Sequence, residues 1–153
     1  MSAALLSPGD FLDLVRLGPL VALDLIVRDP EGRVLVGQRV NRPAQGFWFV
    51  PGGRVLKGES LDDAFARITQ NELGRAFARR EATFLGVFEH LYPDNFAGAE
   101  GIGTHYVVLA HELRLREALE PPADQHGAYR WMSEAQLLQG AEVHGNTKAY
   151  FRD

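Results

Sequence analysis

The chain has no cysteine, which excludes disulfide bonds and thiol catalysis. It has no basic run, and 16 Lys and Arg against 20 Asp and Glu leave a net charge of −4. That balance argues against a nucleic-acid groove and leaves small anions to be met by a few local arginines. No apolar run approaches the roughly 18 residues of a membrane span. The opening MSAALLSPGDFLDLV lacks the basic n-region of a signal peptide, so the cytoplasm is the expected compartment. Repeats and low-complexity tracts are absent as well. What is present is 46% apolar residues in 153, enough for one core, and residues 1–153 are expected to form one domain.

Local patterning predicts a short amphipathic helix over 8–16, then strands over 20–27 and 33–38 joined by the turn Asp29, Pro30, Glu31, Gly32. Further strands are expected over 83–91, 105–115 and 128–131, with short helices over 133–138 and 147–151. Strands, a helix, more strands and a closing helix make an α+β fold with a mixed sheet and helices on its faces. Two loops stand out. Residues 93–103 carry three glycines and are too long for a tight hairpin, which leaves function, a surface excursion or a dimer contact open. Residues 120–127, EPPADQHG, are stiffened by two prolines.

The segment of residues 41–74, NRPAQGFWFVPGGRVLKGESLDDAFARITQNELG, is the most informative. Ser60 is placed to cap a helix over 61–73, with Asp63 at its third position and Gly74 as a left-handed stop. Leu61, Ala64, Phe65 and Ile68 share one apolar face, and Glu72 falls about 20° from its centre on a 100° wheel. Helix geometry alone leaves two options for Glu72, inward as a ligand or outward from a frayed last turn.

The spacing of Gly53, Glu59, Arg67, Glu72 and Gly74 resembles the Nudix box, the signature of hydrolases acting on nucleoside diphosphates linked to another group. Ile68 and Asn71 stand where the usual box carries two more metal-binding carboxylates. The altered box, the NRPAQGFWFVPGGRV preceding it and the later DQHGAYRW, THYVVL and VHGNTKAYF resemble the GDP-mannose mannosyl hydrolase branch of that superfamily, from about residue 10 to 151. The resemblance implies the Nudix αβα sandwich and Mg²⁺-dependent hydrolysis of a GDP-sugar, GDP-mannose or GDP-glucose, to GDP and free sugar. Water would attack the anomeric carbon with inversion. It also implies a homodimer and about one Mg²⁺ per subunit, with Mn²⁺ as the alternative ion.

Gly52 and Gly53 read as a Gly-Gly turn, the resemblance makes Gly52 a backbone metal ligand there, and the Glu72 carboxylate and Gln125 side-chain carbonyl complete an oxygen set suited to Mg²⁺. His126, beside Gln125 on the proline-stiffened loop, is the candidate base. His90 is a second candidate that could equally pair with Glu89 or another group. Arg39 and Arg54 are placed to meet a diphosphate, Arg39 also as a substrate-binding group. Tyr106 is a neutral donor, and Asp24, an acid inside LVALDLIV, orients sugar hydroxyls or an arginine unless it is a strand-end ion pair. Leu5, Leu6 and Phe11 would cover the nucleotide by resemblance, with core packing the plain alternative for Phe11. Arg67 is expected to anchor the box. Attack at phosphorus, as in a Nudix pyrophosphohydrolase, and a non-catalytic nucleotide-sugar binding module are the competing readings.

Overall fold

The computed structural model describes residues 5–122 and 128–152. Helix α1 (Pro8–Leu17) leads into strand β1 (Leu20–Arg28) and then β2 (Val34–Gln38), β3 (Trp48–Phe49) and β4 (Gly52–Arg54). Helix α2 (Leu61–Leu73) follows, then β5 (Thr83–Tyr92), β6 (Thr104–Arg114), β7 (Tyr129–Met132), α3 (Glu134–Gln139) and α4 (Gly145–Lys148). Single 3-10 turns at Arg79–Glu81 and Ala149–Phe151 complete the order.

The sheet is mixed. Its path is β3-β2-β1-β6-β5, with β4 on β1 and β7 on β2, and only β1 and β6 among these pairs run parallel. The alternation of side chains along β1 divides the interior in two. Leu23, Leu25 and Val27 pack with Ala64, Phe65, Ile68 and Leu73 of α2, while Ile26 joins Val34, Val36, Trp48, Val50 and Leu137 of α3. A helix thus covers each face, the sandwich expected from sequence. Burying a side chain such as Phe65 or Leu25, both 0% exposed, contributes about 2 kcal/mol each.

Local chemistry fixes the turns that aim the site. Asp29 Oδ1 accepts from the backbone N–H groups of Glu31 (3.0 Å) and Arg33 (2.8 Å), and Gly32 takes φ 83°, closing the β1–β2 turn. Helix α2 starts where Ser60 Oγ accepts from the Asp63 N–H at 3.1 Å and ends at Gly74 with φ 80°.

Two expectations need correction. Gly52 and Gly53 do not form a turn: they lie in β4, paired antiparallel with Asp24 and Leu23 of β1. A Cβ on Gly52 would overlap Asp24 Oδ1 and the Leu23 carbonyl, so the glycine serves the close approach of two strands. The C-terminal helix begins earlier than expected, at Gly145, and tightens into a 3-10 turn at Ala149. The 93–103 loop is built around Asn95, whose side chain is fully buried. Its Nδ2 donates to the carbonyls of Ala99 (2.8 Å) and Ile102 (2.7 Å), and its Oδ1 accepts from the N–H groups of Ala97 and Ala99.

Candidate active site

Strands β1, β4, β5 and β6 wall a cavity of about 120 Å³ whose lining includes Asp24, Arg39, Gly52, Arg54, His90 and Tyr106. Six positions singled out from sequence therefore converge. The register explains it: Asp24 pairs with Gly52, and His90 with Tyr106. Partners in a ladder project their side chains to the same face.

Burial pushes the Asp24 carboxyl up to about 7. The Tyr150 hydroxyl, which donates to Asp24 Oδ2 at 2.5 Å, and the Arg39 charge work against that rise, and the nearby Glu72 charge adds to it. Among the described residues Asp24 forms no ion pair, so the strand-end salt bridge is not its role there. Glu72 points inward at 8% exposure and accepts from Tyr129 Oη at 3.3 Å. The outward option for Glu72 is thereby closed.

His90 is buried, and burial together with the charge of His144 holds it down at about 4. The ring is neutral near pH 7 and a weak base, which counts against His90 as the group that activates water. It does not pair with Glu89, because neighbouring residues of a strand face opposite sides; Glu89 instead meets His105 Nε2 at 3.1 Å. His90 Nε2 lies 3.3 Å from Tyr150 Oη.

Positive charge comes from Arg39 and Arg54. The Arg39 guanidinium donates to the carbonyls of Asn41 (3.4 Å) and Arg42 (3.3 Å) and lies 5.8 Å from the Phe49 ring centre. Arg54 lies 4.9 Å from the ring centre of Phe11, which itself packs on Phe96 at 4.8 Å. Phe11 thus stands at the edge of the site rather than in the core. Leu6 lines a separate apolar groove beside Arg54, and Leu5 is 86% exposed.

Arg67 holds the segment between β4 and α2. Its Nε donates to Glu59 Oε2 at 2.7 Å, and its Nη2 to Glu59 Oε1 at 3.0 Å and to the Arg54 carbonyl at 2.7 Å. The anchoring role expected from sequence is the one seen. Ile68, in place of a box carboxylate, is 2% exposed and packs under Gly53.

Gln125 and His126 lie outside the described residues. Among the described residues no group of three His, Cys, Asp or Glu side chains is arranged to hold a metal. The inward-facing Glu72 carboxylate, close enough to act on Asp24, and the Gly52 backbone paired with Asp24 offer oxygen only, which fits a hard divalent ion that takes its other ligands from water and phosphate.

Three residues at the site carry no sequence signal of their own. Tyr92 lines the cavity. His144 stacks on Phe49 at 4.8 Å and contacts Tyr92 at 5.6 Å. Tyr150 bridges Asp24 and His90. The VHGNTKAYF segment contains two of them, but only the tertiary fold shows which way they face.

Comparison with known proteins agrees with this architecture. The family model described as NUDIX domain matches residues 18–152. The "Low-salt glycan biosynthesis protein Agl8" of Haloferax volcanii is 47% identical over 98 residues, covering 63% of this chain and 60% of that protein. An uncharacterized Nudix hydrolase of Streptomyces coelicolor is 37% identical over 114 residues, 72% of this chain and 58% of that one. The chain thus spans about three fifths of the length of these relatives. Among solved structures, a MutT NUDIX hydrolase from Burkholderia pseudomallei superposes with TM-score 0.65 at 28% identity, covering 87% of this chain and 95% of that one.

Proposed function

The chain belongs to the NUDIX domain family, and from that membership we propose that it hydrolyses a nucleotide sugar, a GDP-sugar such as GDP-mannose, to free sugar and nucleoside diphosphate. One observation carries the reading: Ile68 fills a box position as core packing against Gly53, so the acid lining the cavity is Asp24, with the inward-facing Glu72 close enough to act on its charge. A site with few carboxylates suits one Mg²⁺ or Mn²⁺ and a substitution at carbon better than a metal cluster making hydroxide next to phosphorus. The glycan-biosynthesis name of the Haloferax volcanii relative supports a sugar-linked substrate.

In this reading Gly52, Glu72 and Gln125 would hold the metal, which would neutralise diphosphate charge. Arg39 and Arg54 bind the same oxygens, Arg39 also orienting the substrate, and Tyr106 adds a neutral hydrogen-bond donor. Burial raises the Tyr106 phenol, so it keeps that proton. His126 takes a proton from water as the water oxygen bonds to the anomeric carbon, and the bond from that carbon to the diphosphate oxygen breaks with inversion. Asp24 and His90 receive sugar hydroxyls. Phe11 stacks under Arg54 at the nucleotide end, with Leu5 and Leu6 beyond it across a homodimer contact.

Phosphorus NMR of a reaction with GDP-mannose and Mg²⁺ tests the proposal. GDP as the phosphorus-containing product is expected. GMP with mannose 1-phosphate would make the protein a pyrophosphohydrolase, and binding without turnover would make it a nucleotide-sugar module.

A further inference from the structure

The cavity wall contains a buried chain of three polar groups, Asp24, Tyr150 and His90, that joins β1 to β5 through the C-terminal 3-10 turn. Tyr150 is brought there by packing. Its ring meets Phe88 edge-on at 4.7 Å, and the segment before it is pinned where Thr147 Oγ1 accepts from the Val50 N–H at 3.3 Å. A phenol has one proton to donate. With Asp24 ionised, the 2.5 Å contact to its carboxylate takes that proton, and the 3.3 Å contact to His90 Nε2 then leaves the phenol oxygen as acceptor. His90 Nε2 must supply the proton for that second bond.

We propose that Tyr150 is a positioning residue: it fixes His90 as the tautomer protonated on Nε2, which leaves Nδ1 a bare acceptor for a hydroxyl of the bound sugar. His90 lines the cavity, and among the described residues Nδ1 has no hydrogen-bond partner and is not one of the sealed, unsatisfied polar atoms. A neutral imidazole held this way accepts from a hydroxyl in one direction only. The same phenol proton keeps one Asp24 oxygen occupied, so that acid offers its other oxygen to the pocket. The substrate half of this inference rests on the nucleotide-sugar reading; the tautomer half does not.

Long-range ¹H–¹⁵N correlation NMR on the ligand-free full chain at about pH 8.5, where Asp24 is ionised, reads the tautomer, with the His90 signals identified by their loss in His90→Asn. The wild type is expected to show a protonated Nε2 and a bare Nδ1, and Tyr150→Phe to lose that pattern. Phe88→Leu, which loosens the same packing but keeps the phenol, is expected to retain it. A wild-type ring protonated on Nδ1, an unchanged pattern in Tyr150→Phe, or equal loss in Phe88→Leu would each overturn the proposal. The wild-type spectrum alone decides it if Tyr150→Phe does not fold. With GDP-mannose, Tyr150→Phe is expected to lower kcat/KM about tenfold, the worth of one hydrogen bond; an unchanged value would remove the substrate half. Absence of sugar release by the wild type would sink the nucleotide-sugar reading while leaving the tautomer result to stand.

Discussion

At the scale of single residues, the site rests on close approaches that tolerate little change. Gly52→Ala places a methyl against Asp24 Oδ1 and the Leu23 carbonyl, and overpacking of this kind costs about 1–3 kcal/mol; urea unfolding measures the loss. Asp24 is costly to ionise. Its native carboxyl titrates at about 7, above the ordinary 3.8, so the native state binds more protons than the unfolded chain between those values, and stability falls as pH rises through that window. Asp24→Asn is therefore expected to raise the metal-free unfolding midpoint at pH 8, with a gain that shrinks as pH falls from 7 towards 4, and to lower turnover about a hundredfold. Thermal scans across pH, beside a turnover assay, check both. Asp24 was legible as an acid inside an apolar strand, Arg39 and Arg54 as cations at a strand end and beside a glycine pair, and Gly52 through the family resemblance; the fold gathers them with His90 and Tyr106 at one cavity. Tyr150 was not legible: it bonds a partner 126 positions away, and a tyrosine near a chain end looks the same whether it faces solvent or a cavity.

Among elements, α2 was read to the residue because its start and stop are written in side chains, Ser60 at the cap and Gly74 at φ 80°. Replacing Ser60 by Ala should cost about 1 kcal/mol. Arg67→Ala should cost about 3 kcal/mol, since it leaves Glu59 Oε2 and the Arg54 carbonyl without their donor; denaturant titration separates the two variants. The misses have physical causes. Strands β3 and β4 span two and three residues, too short for a period-2 pattern, and pairing with β2 and β1 defines them. Gly52 and Gly53 looked like a turn because glycine relaxes backbone limits in both settings, and only the facing strand decides which use is made of it.

For the whole molecule, two faces of one mixed sheet carry two apolar clusters, and the cavity opens where β1, β4, β5 and β6 meet. That geometry brings arginines, a raised acid and a neutral imidazole against the glycines of β4. Chelation of divalent ions is accordingly expected to abolish turnover, restored by Mg²⁺ or Mn²⁺, as an activity assay with and without EDTA would record. The central claim is that water attacks carbon rather than phosphorus. Turnover of GDP-mannose with Mg²⁺ in ¹⁸O-labelled water tests it most directly by mass spectrometry of the products. The account predicts label in free mannose with unlabelled GDP; label in GMP or in mannose 1-phosphate would contradict it.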